Sequence, residues 1–395
     1  FMPYSGVDSS YVGRAFTERL QTPNWGSKPP KVASLFSGCG GLDFPFHSAG
    51  YKLVYANEIN QYAGATFSRN ISSVIDIKPI EDVDIGAVPD ADLVTGGFPC
   101  QDFSIIWKRP GLSGSRGNLY TYFLEFVATL KPKVFIAENV KGLLTVNGGR
   151  AIQQIVEDFQ SIIPGYVIFP KVYNFADHGV PQIRERVILV GIRSDIGFNF
   201  IHPAGTFGQG HSQSYVTAGD ALAGLDETFP NMEHMNIQTR TRELLSRIPA
   251  GGNFTDIPKD DPYYVKGMIS HVYRRIDPLK PSKTLIAGGG GGTWGYHYPE
   301  NRALTNRERA RIQGFPDDFV FTGSFGEIRR QIGNAVPPVG VIDLVNQMNR
   351  LFLDEFDPID LNKVQNTLNR LSIRDRLRLS ATSDSIDWTD PKTLD

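Results

Sequence analysis

Cys100 stands directly behind Gly96-Gly97-Phe98-Pro99, which in turn follows the apolar run Ala91-Asp92-Leu93-Val94. A strand that ends in such a turn presents its next side chain at the carboxyl edge of a sheet, where open α/β sheets bind ligands. A thiol there is a candidate nucleophile, although a cysteine is more commonly a small buried apolar residue. Val134-Phe135-Ile136-Ala137-Glu138 repeats the pattern with a carboxylate at the strand tip. Such a residue could equally cap the next helix. Gln182-Ile183-Arg184-Glu185-Arg186-Val187 sets two arginines two residues apart ahead of a strand-like run. In an extended segment both point to one face. Their guanidinium groups suit carbonyl oxygens, carboxylates and phosphates, or form only a solvated basic edge. Thiol, acid and guanidinium together suit alkylation at C5 of a pyrimidine. Thiolate addition at C6 makes C5 nucleophilic, an acid on N3 supports the addition, and an arginine on O2 holds the ring. At an ordinary pKa only a few per cent of a thiol is thiolate at neutral pH, so the site must assist deprotonation.

A second cluster precedes the first. Ser34-Leu35-Phe36-Ser37-Gly38-Cys39-Gly40-Gly41-Leu42-Asp43 reads as a strand entering a glycine-rich turn and then a helix. Glu58 ends the next strand-like run, where a carboxylate can accept from both hydroxyls of a ribose. Asp76 ends a third short run, where it could accept from an adenine amino group. The dinucleotide fingerprint would place its third small residue at Asp43, and an acid there repels a pyrophosphate. S-adenosylmethionine, with no phosphate and a cationic sulfonium, is the expected ligand; a purely structural turn is the plain alternative.

The elements that must position these residues can be read from the pattern. Strand-like runs at 32–36, 53–56, 92–95, 134–137, 166–172 and 186–192 alternate with helical runs such as 119–130 and 151–162. This predicts an α/β fold with a doubly wound, mostly parallel sheet. Residues 1–30 read as an N-terminal arm and 31–196 as a catalytic and cofactor-binding domain. Residues 197–300, rich in Gly, His, Thr and aromatics, read as a smaller loop-rich domain. Residues 301–353 return to the first domain, with Thr305 and Glu308 forming a capping box, and 354–395 form an extension that either packs as a further helix or mediates pairing.

The chain has 395 residues, formal net charge −2 and two cysteines. It is long enough for more than one domain. It carries too few cysteines for a disulfide framework, and it has no bilayer-spanning run or signal peptide. A near-neutral total does not exclude nucleic acid, which needs only a local basic face. His202, His211, His234, His271 and His297 follow no ligand spacing, so no metal is expected. Phe1-Met2 reads as an addition ahead of the native start.

With these motifs in order, from Phe36-Ser37-Gly38-Cys39-Gly40-Gly41 through Asn57-Glu58, Pro99-Cys100-Gln101, Glu138-Asn139-Val140 and Gln182-Ile183-Arg184-Glu185-Arg186 to Gly333-Asn334-Ala335-Val336-Pro337-Pro338, the chain resembles the DNA (cytosine-5)-methyltransferases of bacterial restriction–modification systems. The match covers nearly all of residues 31–350. The resemblance implies that Cys100 is the nucleophile, Glu138 the N3 partner, Arg186 a contact to O2 and Arg184 a support for the site. It implies an S-adenosylmethionine pocket, with S-adenosylhomocysteine as product, from Phe36, Ser37, Gly38, Gly40, Gly41, Leu42, Glu58, Ile59, Asp76, Ile77, Pro99, Leu119 and Asn334. A mobile catalytic loop would span about 101–117, with Ser104 and Arg116 on phosphates. The target-recognition region would be 197–300, with Arg240, Arg274 and Arg275 as groove or phosphate contacts and Thr284 beside the flipped base. Implied further are a double-stranded DNA substrate, a cytoplasmic monomer, no membrane, and a restriction endonuclease encoded nearby but not bound. An RNA cytosine methyltransferase is the alternative within the family. A nicotinamide oxidoreductase on the same sheet and a catalytically silent DNA-binding protein are the alternatives outside it.

Overall fold

Seven segments pair into one sheet, and the longer ones are too continuously hydrophobic to leave a face in water. The structure, a computed structural model, describes residues 10–99, 119–264, 266–267, 272–288 and 295–382. The strands are β1 (Lys31–Leu35), β2 (Lys52–Glu58), β3 (Asp76–Ile77), β4 (Leu93–Gly96), β5 (Val134–Val140), β6 (Tyr166–Asn174) and β7 (Glu185–Arg193). Their order is β3-β2-β1-β4-β5-β7-β6. The first five pair in parallel, so the order reverses between β1 and β4. That crevice at the carboxyl ends is where a doubly wound sheet takes its ligand.

Side-chain alternation divides the sheet into two cores. Val32, Leu93, Val134, Ile136, Ile188 and Val190 face one core. It is closed by α1 (Tyr11–Arg19), α2 (Asp43–Ser48), α3 (Gln61–Asn70) and the later helices α8 (Asn306–Ile312), α9 (Phe325–Asn334) and α10 (Ile342–Phe352). Ala33, Val94, Phe135, Ala137 and Leu189 face the other. There α4 (Leu119–Leu130) supplies Phe123 and Phe126, and α5 (Arg150–Gln160) supplies Ile155 and Phe159.

The sheet is mixed at one edge, because β7 is antiparallel to both β5 and β6. The connection 175–184 is shorter than the dozen or more residues a parallel crossover needs, so β6 and β7 can only turn back on each other. This reversal matters for the site. An antiparallel strand begins where its parallel neighbours end, so Arg184 and Arg186 arrive at the same edge as Glu138.

The ends of the chain are more integrated than their composition suggests. In the stretch expected as an arm, α1 buries Val12, Ala15 and Phe16 in the first core, and Arg19 pairs with Asp343 of α10 at 3.0 Å. Past the expected end of the catalytic fold, α11 (Leu361–Asn369) buries Leu361, Val364 and Leu368 in the same core, and α12 (Ile373–Thr382) packs on β6. The capping box opens α8 as expected, with Thr305 and Glu308 satisfying each other's backbone N–H groups. Residues 197–300 add α6 (Ala218–Leu222), α7 (Thr239–Leu245) and small apolar clusters. None of the described residues there joins the sheet. Among the described residues, no helix is long and apolar enough to cross a membrane.

Candidate active site

One cavity of about 650 Å³ lies across the carboxyl ends of β1, β2, β4 and β5, a size that suits a cofactor-sized ligand. At one end the glycine-rich turn after β1 contributes Phe36, Ser37, Gly38, Gly41 and Leu42. Phe36 has φ of +52°, a left-handed backbone that costs about 1–3 kcal/mol in a residue with a side chain and tends to mark functional positions. Gly41 is required by close approach: a Cβ there would fall 2.2 Å from the carbonyl oxygen of Val336. The Gly333-Asn334-Ala335-Val336 segment thus locks onto the turn, and Asn334 lines the cavity beside it.

Glu58 closes this end. Its two carboxylate oxygens accept the backbone N–H groups of Gly38 and Asn60, each at 2.8 Å. Lone pairs remain on both oxygens for ligand hydroxyls. Burial raises its carboxyl, and the backbone donors pull it back down. Ile59 lines the same end, and Pro99 and Leu119 line the cavity too.

Three expected cofactor contacts do not line the cavity: Gly40, Asp76 and Ile77. Asp76 accepts from the Tyr55 hydroxyl at 3.3 Å and pairs with Lys78 at 3.2 Å. The two-residue β3 is followed by a 3₁₀ turn, Ile80–Asp82, and it is Ile80 and Glu81 that reach the cavity. The sequence signal for them was only this turn after a very short strand.

The other end holds Glu138, Arg186 and the Gly96-Gly97-Phe98-Pro99 segment. In the β5–β7 register Glu138 lies opposite Ile188 and Val140 opposite Arg186. Glu138 and Arg186 are therefore diagonal neighbours on one face, within reach of long side chains. Arg186 Nε stands 3.1 Å from Glu138 Oε1. Burial raises the Glu138 carboxyl, while Arg186 and then Arg184 lower it. A Cβ at Gly97 would fall 2.9 Å from Glu138 Oε2, so the glycine makes room for the carboxylate. Asn139 is a contributor that the sequence did not single out. Its amide donates to the carbonyl of Phe98 at 2.9 Å, tying β5 to the segment that leads to Cys100.

Arg184 supports the site from within. It is 2% exposed and donates to the carbonyls of Leu285, Gly333 and Ala335 at 3.1, 2.8 and 3.2 Å. It staples the start of β7 to the 282–285 segment and to the Gly-Asn segment. Arg184→Met should lower stability by about 3 kcal/mol, because the buried carbonyls of Leu285 and Gly333 lose this donor, while that of Ala335 keeps the Gln313 amide. Urea unfolding of the two proteins checks this; a change under 1 kcal/mol would contradict the staple.

The remaining assignments divide. Cys100, Ser104 and Arg116 lie outside the described residues. Cys39, the other cysteine, is buried, and burial pushes its thiol up to about 12, which suits packing and not nucleophilic attack. Arg275, expected on DNA, is instead 9% exposed. Its guanidinium is spent on the carbonyls of Leu245, Ile248, His297, Tyr298 and Glu300 and on the Asn301 amide oxygen. It holds the loops of 245–301 together. Thr284 donates its hydroxyl to the Ile183 carbonyl at 2.8 Å, leaving that proton unavailable to a phosphate. Arg240 is exposed and Arg274 half-buried.

Residues 30–350 match the family model for C-5 cytosine-specific DNA methylases. Type II methyltransferase M.NgoFVII of Neisseria gonorrhoeae is 54% identical over 366 residues, covering 91% of this chain and 97% of the relative. Type II methyltransferase M.BbvI of Brevibacillus brevis is 40% identical over 345 residues, covering 82% and 91%. Among solved structures, a prophage-encoded Escherichia coli protein described as a DNA modification methyltransferase superposes with a TM-score of 0.63 at 21% identity, covering 82% of this chain and 99% of that one. The Dnmt2 methyltransferase of S. pombe superposes at 0.55 and 16% identity, covering 82% and 99%. These two likenesses speak to the fold.

Proposed function

We propose, for a chain that belongs to the C-5 cytosine-specific DNA methylase family, that it transfers a methyl group from S-adenosylmethionine to C5 of a cytosine flipped out of duplex DNA. One observation carries this reading: a single cavity has Phe36 and Glu58 at one end and the Glu138–Arg186 pair at the other. The first end fits an adenosyl group. Glu58 has lone pairs for ribose hydroxyls, and Phe36 and Ile59 offer apolar surface to the adenine. The ligand would supply a sulfonium-activated methyl group.

Cys100 adds through its thiolate to C6 of a cytosine held at the other end. Glu138 gives its proton to N3 as the ring takes up the electron pair, and Arg186 holds O2. C5 would then take up the methyl group as its bond to the donor sulfur breaks, the sulfur leaving as a neutral thioether. Loss of the C5 proton to solvent re-forms the C5–C6 double bond as the C6–S bond breaks, returning Cys100 as thiolate, and the N3 proton goes back to Glu138. Flipping costs a few kcal/mol, repaid by contacts in the pocket. Ser104 and Arg116 serve phosphates, and the region 197–300 reads the target through side chains such as Arg240 and Arg274. The protein acts as a cytoplasmic monomer and as the modification partner of a restriction endonuclease that it does not bind.

The test is to offer S-adenosylmethionine with a random-sequence duplex DNA library and, separately, with tRNA. Bisulfite sequencing should find 5-methylcytosine at one position of one short DNA sequence. Methylation of the tRNA and not of the DNA would overturn the reading.

A further inference from the structure

Asp43 opens α2 directly beneath the glycine-rich turn and is 1% exposed. Its two carboxylate oxygens accept from the hydroxyls of Ser34 on β1 and Thr95 on β4, each at 2.8 Å. A carboxylate that accepts on both oxygens is served in its ionised form. Among the described residues, no ion pair includes it. A buried charge without a counter-charge is costly, and hydroxyl dipoles offset only part of that cost. Asp43 is among the residues that surround the cavity. Ser34 lies two residues before Phe36, and Thr95 lies just before Gly96 and Gly97. Asp43 is thus tied to the two strands that lead into the ends of the cavity, through Ser34 to the adenosyl end and through Thr95 to the base end.

We propose that Asp43 is a specificity-determining residue that favours the cationic sulfonium of the donor over the neutral thioether of the product. The missing counter-charge is the ligand's own. The inference rests on the donor assigned above. It gives the site a reason to release product: once the methyl leaves, the positive charge leaves with it, and the attraction is lost. Unit charges several Å apart at an effective dielectric constant near 20 are worth on the order of tenfold in binding after partial screening.

The experiment is calorimetric titration of the full chain with S-adenosylmethionine and, separately, with S-adenosylhomocysteine, in wild type and Asp43→Asn. Asparagine keeps the shape, accepting from one hydroxyl and donating to the other. The expected result is a roughly tenfold fall in the preference for the methylated ligand, with the homocysteine affinity changed less than twofold. Equal weakening of both ligands would make Asp43 a structural tie and overturn the inference, as would no change in either. Failure of the wild type to bind S-adenosylmethionine at all would overturn the donor assignment itself, and is distinguishable because it precedes any comparison of variants.

The wild type supplies a second readout if the variant does not fold. Burial raises Asp43 to about 6, while the hydroxyls of Ser34 and Thr95 lower it. The preference should therefore fade as pH drops through that region. Thr95→Val, which removes one of those hydroxyls, should move the midpoint upward. The other titratable groups packed near are Cys39, which stays protonated, and Glu58, which holds the ribose common to both ligands. Thr95 touches neither in the hydrogen-bond network, so an unmoved midpoint would overturn the inference.

Discussion

Cys100→Ala will abolish methyl transfer to DNA, with a loss on the order of 10⁴-fold or more, while S-adenosylmethionine still binds. The size of the effect follows from the chemistry. Cytosine C5 is not nucleophilic until something adds at C6, and of the two cysteines of the chain Cys39 is held protonated by burial. No described group replaces the lost thiol. Donor binding should survive because Phe36, Glu58 and Asn334 are untouched. A single-turnover assay with tritiated donor, run beside calorimetry, separates the two quantities. Activity within tenfold of wild type would remove Cys100 from the reaction.

Glu138→Gln will lower kcat by about 10²–10⁴-fold, the usual contribution of a positioned acid, with a smaller change in KM for DNA. Burial raises the Glu138 carboxyl, and Arg186 and Arg184 oppose that. The sign on pH follows: as pH rises, Glu138 loses its proton and wild-type kcat falls. Glutamine has no such proton to lose, so the variant should lack that alkaline limb. A second consequence concerns Arg186, which loses its anionic partner at 3.1 Å. Removing one member of a buried pair is costly, so stability should fall in the variant, and thermal melting must be read beside the kinetics. A pH profile in which both proteins keep the same alkaline limb would assign it to another group.

Glu138 and Arg186 were legible in the sequence because each sits at the end of an unmistakable apolar run, and strand ends can be located without knowing the strand order. Their pairing was less so. It depends on β7 running antiparallel, and the clue was the short connection 175–184, which speaks only once β6 and β7 are taken as neighbours. Glu58 was legible for the same reason as Glu138. Asp76 was not, because a two-residue strand fixes no direction for its side chain, and the cavity wall passes to Ile80 and Glu81.

Arg275 illustrates a different limit. Adjacent arginines look alike in sequence whether a guanidinium meets solvent or backbone carbonyls, and the loops of 245–301 supply five carbonyls to this one. Arg184 has the same character, yet its neighbour Arg186 is aimed at the site. The helix α1 was hidden because its burial is decided by contacts with Asp343 and Gly179, far away in sequence. Asp43 was legible as an acid where a phosphate would be unwelcome. That no ion pair among the described residues includes it required the structure.

The measurement that bears most directly on the whole account is covalent trapping on duplex DNA carrying 5-fluorocytosine at the methylated position. Fluorine cannot leave C5 as a proton does, so the reaction should halt after methyl transfer with Cys100 bonded to C6. The account predicts a denaturation-resistant protein–DNA complex that forms with wild type only when S-adenosylmethionine is present and that is absent with Cys100→Ala. Enzyme that methylates ordinary cytosine yet forms no such complex, or a complex that persists in Cys100→Ala, would contradict it.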